Sequence, residues 1–153
     1  MAIEYTLRSD ARAEQDDLRK LLVTALDGRS GPDGTVFRDG MYVTAWQVPE
    51  GEGYEVTRLL GFEHRVTAVF HFDNLADPAT RDHNVAAMVG AVLAHFDQYR
   101  SHGVLLFNGE EIVLQRLTDE VVFNSDWEDW SELDEVAPLL VGHALRSLPQ
   151  RLM

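Results

Sequence analysis

The sequence predicts an α+β fold: two layers, a mostly antiparallel sheet of about six to seven strands packed against two main helices, with a short C-terminal helical tail. Three observations carry this expectation. Apolar and polar residues alternate over 3–7 and again over 66–72. Two stretches of helical spacing separate groups of strand-like segments. The pairs Asp39-Gly40 and Asn108-Gly109 each join two extended runs through a tight turn.

Ile3, Tyr5 and Leu7 lie on one face of a first strand, with Glu4, Thr6 and Arg8 on the other. Ser9 and Asp10 are suitable caps for the helix that follows. Its apolar stripe is Leu18, Leu21, Leu22, Ala25 and Leu26, and Asp27-Gly28 ends it. Between Thr35 and Val48 two strands flank Asp39-Gly40; Trp46 shares a face with Tyr42 and Val48 and reads as a packing aromatic. The glycine- and glutamate-rich loop Pro49 to Gly53 breaks the sheet, and Tyr54 to Phe62 is either a strand or an irregular edge.

His64 to Asp73 is a strong strand, with Val66, Ala68, Phe70 and Phe72 on its buried face. Asp77 caps a second helix, Pro78 sits in its first turn, and Val85, Met88, Val89, Val92 and Phe96 form its stripe. His95 falls off that stripe and is expected to face solvent. Val104 to Phe107 is apolar on both faces, so a strand covered on both sides is expected there. Asn108-Gly109 returns the chain through Ile112, Val113 and Leu114, and a turn near Thr118-Asp119 leads to Val121, Val122 and Phe123. Ser131 is placed to cap a short acidic turn, and Pro138 to Leu148 to form a last helix. No composition shift divides residues 1–153, so the chain reads as a single domain.

With 153 residues and 45% hydrophobic content the chain is long enough to bury a core of its own. Zero cysteines exclude disulfides and thiolate chemistry and fit a reducing, cytoplasmic setting. No export signal and no membrane-length apolar run is evident. The net charge of −13 argues against nucleic acid and anionic membranes as partners and favours encounter with a basic one.

Phosphate loop, dinucleotide fingerprint, nucleophile elbow and zinc-protease helix are all missing, so no catalytic residue and no cofactor is predicted. His71 and Asp73 share a side of their strand, but a third ligand at recognisable spacing is lacking, and no metal is predicted. The 26 acidic residues make close carboxylate pairs uninformative.

One segment is different. Between Leu117 and Gly142 stand Asp119, Glu120, Asp126, Glu128, Asp129, Glu132, Asp134 and Glu135, with no lysine or arginine. Trp127 and Trp130 lie inside it. Either the rings fold back to close the core, or Asp126, Trp127, Glu128, Asp129 and Trp130 form a partner-binding surface. In the second case the tryptophans anchor and the acids steer.

Several motifs resemble a known family. The opening Met1-Ala2-Ile3-Glu4-Tyr5-Thr6-Leu7, the Leu60-Gly61-Phe62 before a strand ending Phe70-His71-Phe72-Asp73, and Val104-Leu105-Leu106-Phe107-Asn108-Gly109-Glu110 resemble Sit-type immunity proteins of bacterial swarming-inhibition toxin pairs, in particular the third group. Phe123-Asn124 followed by Trp127 adds to the likeness. The loop at Glu50 to Gly53 and the segment from Pro138 depart from the pattern. The resemblance implies a small cytoplasmic protein that binds a cognate toxin and blocks it without chemistry of its own. If that toxin is a nuclease, the carboxylates would imitate substrate phosphates. Two other readings stay open: an enzyme or small-ligand site near His71 and Asp73, and a structural homo-oligomer such as a homodimer.

Overall fold

In a computed structural model the structure describes residues 3–53, 57, 58 and 60–148. The chain runs β1 (Ile3–Ser9), α1 (Gln15–Leu26), β2 (Arg29–Ser30), β3 (Val36–Arg38), β4 (Met41–Gln47), β5 (Val66–Phe72), α2 (Pro78–Tyr99), β6 (Gly103–Phe107), β7 (Glu111–Arg116), β8 (Val121–Asn124), α3 (Asp129–Glu132), α4 (Ala137–Leu140) and β9 (Ala144–Arg146). Among the described residues the nine strands form one sheet in the order β2-β3-β4-β5-β1-β6-β7-β8-β9. Every pairing is antiparallel except β8 with β9, which is parallel. The α+β class is as the sequence predicts. The strand number is higher because β2 and β9, two and three residues long, carry too little pattern to be read.

The alternation in β1 places this strand at the centre. Tyr5 and Leu7 pair with Phe70 and Ala68 of β5 on one side and with Phe107 and Leu105 of β6 on the other. These residues face the helices, and Leu18, Leu22 and Leu26 of α1 with Val85, Met88, Val89, Val92 and Phe96 of α2 complete the main core. A second, smaller core forms on the opposite face: Val104 and Leu106 of β6, Ile112, Val122, Phe62 and Leu148 pack there. Thus β6 is covered on both sides, as its unbroken apolar run requires.

The turns follow local chemistry. Asn108 and Gly109 both adopt positive φ, 49° and 77°, which the tight hairpin between β6 and β7 demands. Asn108 is also tied to β1, its Oδ1 accepting from Glu4 N at 3.0 Å and its own N–H donating to Glu4 O at 2.8 Å. Asp77 caps α2 by accepting from Thr80 N at 2.7 Å, with Pro78 in the first turn. That bond holds the Asp77 carboxyl below its usual range.

Four local expectations are corrected. Ser9 and Asp10 do not cap α1, which begins at Gln15 with Glu14 as its N-cap. The Asp10 carboxylate instead accepts from His102 N at 2.7 Å and meets its imidazole Nδ1 at 3.1 Å. His95 does not face solvent: it is fully buried, Nε2 3.0 Å from Ser9 Oγ, because the end of β1 and the Ser101 turn cover that side of α2. Ser131 is inside α3 rather than before it, and its hydroxyl donates to Glu128 O.

The last helix is a single short turn, α4. Val141 is already extended, Gly142 takes φ 85°, and the chain then pairs with the free edge of β8. In the stretch Tyr54 to Phe62, residues 54–56 and 59 lie outside the described residues, and Thr57 to Phe62 closes a turn through Phe62 N to Thr57 O.

One buried side chain fastens the C-terminal strand. Asn124 Nδ2 donates to Ile112 O at 2.9 Å and Leu148 O at 3.3 Å, while its Oδ1 accepts from Leu148 N at 3.2 Å and Asp126 N at 2.9 Å. Asn124→Ala strands these buried partners and is expected to cost about 2 kcal/mol in urea unfolding. Faster amide exchange confined to 144–148 would mark the loss as local.

Candidate functional site

The acidic segment leaves the sheet at β8 and is shaped at once by Asn124. Its side chain accepts from Asp126 N and its carbonyl from Trp127 N at 3.1 Å, so the chain turns tightly before α3. Trp127 therefore precedes the short helix and Trp130 lies within it; Trp130 belongs to the main core and Trp127 packs against its margin.

Trp130 is core, not surface. It is 1% exposed, stands perpendicular to Phe123 at a centroid distance of 5.6 Å, and its Nε1 donates to Val113 O at 2.7 Å. The cause is a bulge in β7. Leu105 pairs with Leu114 and Leu106 with Ile112, leaving Val113 without a ladder partner. Its carbonyl needs a donor, and the indole supplies one. The expectation that Trp130 offers an anchor to a partner is thus overturned.

Trp127 is half-buried. Its ring meets Phe107 at 4.7 Å and Tyr5 edge-on at 6.3 Å, and Tyr5 meets Phe107 at 5.2 Å. Its Nε1 is shielded from water without a well-formed hydrogen bond. Asp129 is also half-buried, its carboxylate 3.5 Å from the Tyr5 hydroxyl. Loss of hydration pushes the Asp129 carboxyl up, and Arg81 offsets this in part. Burial, with the Asp129 charge adding to it, pushes the Tyr5 phenol well above its ordinary value. Asp126 and Glu128 are exposed, with the Asp126 carboxylate accepting from the Ser147 hydroxyl.

Two openings meet at this turn. A cavity of about 230 Å³ runs between Tyr5, Phe107, Trp127, Asp129 and Arg81. A shallow depression of about 250 Å³ lies on the outer side, lined by Glu111, Asp126, Trp127, Glu128 and Asp129. The cluster therefore joins β1, β6, α2 and the β8–α3 turn. Tyr5, Phe107 and Arg81 escaped the sequence reading because nothing in their local spacing links them to Trp127.

The other candidate pair does not converge. His71 stacks on Tyr42 at 4.4 Å, with Nδ1 3.2 Å from Glu4 Oε1. Asp73 is engaged by its own loop, accepting from Leu75 N at 2.8 Å. Among the described residues no three His, Cys, Asp or Glu side chains are grouped to hold a metal ion. The sheet face around His71 is open instead, and Phe37, Tyr42 and Trp46 are 40%, 43% and 40% exposed there. Strand alternation puts Tyr42 and Trp46 on one face, but which face the helices cover is a tertiary property.

The α+β scaffold thus gathers carboxylates around one half-buried tryptophan, while its histidines are engaged in packing and pairing. The comparison with family profiles makes this particular. A profile described as SitI3-like matches residues 3–134, and the chain belongs to the SitI3-like family. Membership points to an immunity-protein-type role, and families of that type are generally non-enzymatic. No curated protein and no solved structure matches the chain. None of the described helices is long and apolar enough to cross a membrane.

Proposed function

We propose that this protein is the cytoplasmic immunity partner of a bacterial protein toxin and neutralises it by occupying a basic surface. It works by occupancy, without a reaction of its own. Asp126, Glu128 and Asp129 supply the charge, Trp127 supplies the contact area, and Trp130 holds the turn from behind. The observation that carries this reading is the exposed acidic turn around Trp127 in a chain of the SitI3-like family. The overall charge of −13 supports it, since a basic partner would be drawn in over several ångströms of solution.

The experiment is a titration of the cognate toxin domain, sought among the products of the neighbouring genes, at low and high salt. Affinity is expected to fall as salt rises, because exposed charges are screened over about 10 Å at 0.1 M. The triple variant Asp126→Asn, Glu128→Gln, Asp129→Asn should bind roughly 10- to 50-fold more weakly at low salt. Trp46→Ala, on the open sheet face, should bind as the native protein does. Salt-independent binding that survives the triple variant would remove the acidic turn from the interface.

A further inference from the structure

We infer that the cavity beside Trp127 is a receptor for one basic side chain, an arginine guanidinium or lysine ammonium presented by the protein partner. The inference rests on the toxin-binding reading and names what the partner inserts. Three aromatic rings, Tyr5, Phe107 and Trp127, form the wall, at mutual centroid distances of 5.2, 6.3 and 4.7 Å. Ile3 and Phe72 add further apolar lining. The faces of such rings carry negative potential, which offsets part of the hydration that a cation gives up on entering among them.

The carboxylate completes the receptor. Asp129 stands at the cavity and also lines the outer depression with Asp126, Glu128 and Glu111, so negative charge leads inward from the surface. Among the described residues its side chain makes one close contact with a cavity group, the long 3.5 Å approach of the Tyr5 hydroxyl. That leaves most of its accepting capacity for an incoming donor. The size fits one side chain: about 230 Å³ is below the usual range of about 300–1,000 Å³ for small-molecule sites.

Among the described residues Arg81 is the one cation in the lining. Its guanidinium reaches Asp82 at 3.9 Å, and its side chain is about half exposed. Its charge already acts on Asp129, so an incoming cation shares that carboxylate with it. An acidic residue inserted there would face the Asp129 carboxylate across an apolar slot and be repelled, and a neutral one would gain burial but no charge pairing.

The test uses the indole N–H resonance of Trp127, assigned by its loss in Trp127→Phe, with the Trp46 resonance as internal reference. Acetyl-arginine amide and the neutral isostere acetyl-citrulline amide are titrated into the native protein. The arginine probe is expected to shift the Trp127 signal saturably, with an affinity on the order of millimolar, and to leave Trp46 unmoved. Citrulline should fail to saturate it. Asp129→Asn should weaken the arginine probe at least ~5-fold, and Arg81→Gln should strengthen it. Equal responses to arginine and citrulline, or binding unchanged in Asp129→Asn or weakened in Arg81→Gln, would overturn the receptor.

The same variants separate this inference from the reading beneath it. A toxin held at native affinity by Asp129→Asn and Trp127→Phe, yet released by Asp126→Asn with Glu128→Gln, overturns the cavity and leaves the acidic face standing. Saturable arginine binding in a protein that the toxin ignores overturns the toxin reading and supports the cavity.

Discussion

Replacing Trp130 by alanine is expected to lower stability by about 4 kcal/mol, enough to unfold much of a marginally stable protein. Two losses add. The ring is fully buried against Phe123 and Val136 belongs to the same core, so truncation leaves a large cavity. The second loss is polar, since Val113 O, displaced from the ladder by the bulge, loses its donor at 2.7 Å. Trp130→Phe divides the two, keeping most of the packing while stranding the carbonyl, at a cost of about 1–3 kcal/mol. Urea unfolding of both variants measures the difference. Equal stability of Trp130→Phe and the native protein would show that water replaces the indole at Val113.

The second large effect is a loss of stability in mild acid. His95 is fully buried, and burial pushes its imidazole down to about 4, with Asp10 opposing the shift. His64 is pushed down to about 4 as well, by burial first and by the Arg8 charge second. Both are therefore neutral in the native protein near pH 5, where the same groups in the unfolded chain, with an ordinary value near 6.5, bind protons. Protons favour the unfolded state, so stability is complete above about pH 6.5 and falls as pH drops toward 4.

Each histidine accounts for up to about 3 kcal/mol of that fall. The lowered carboxyls Asp33 and Asp77 act only below this window, because their ordinary value is already 3.8. Urea midpoints measured from pH 7.5 to 4.5 test the slope, and His95→Gln should flatten it by about half. A midpoint that stays constant over this range would refute the assignment.

Much of the fold was legible in the sequence because most of its longer strands and helices bury one face each, and β6, covered on both, shows it as an unbroken apolar run. The alternation of β1 and β5, the stripe of α2 and the Asn108-Gly109 turn are local signals with one physical solution. Where the reading failed, the deciding partner was distant. His95 is off the stripe of its own helix, yet Ser9, far away in the chain, lies against it. The Pro138 to Leu148 segment has helix-compatible composition, but its helix stops at Leu140, and the free edge of β8 and the Asn124 side chain hold the residues from Ala144 onward in extended form.

The site shows the same division. The carboxylates and the two tryptophans were visible as a run of like charge around aromatics. That Trp130 turns inward follows from a bulge in β7, which no pattern in residues 111–116 announces. Tyr5 read correctly as a buried strand residue, and its second role at the Asp129 carboxylate depends on where β8 delivers the acidic turn.

The two ends of the sheet have a bearing on how the protein behaves at high concentration. A ladder of nine strands could in principle be copied onward from molecule to molecule, as in fibrils. Here the outermost strands span two and three residues, and Arg29 and Arg146 place a charge on each. A foreign strand laid against either would find only a few unpaired amides before the template ran out. Among the described residues the sheet therefore ends on short, charged strands at both sides, a poor template for edge-to-edge growth.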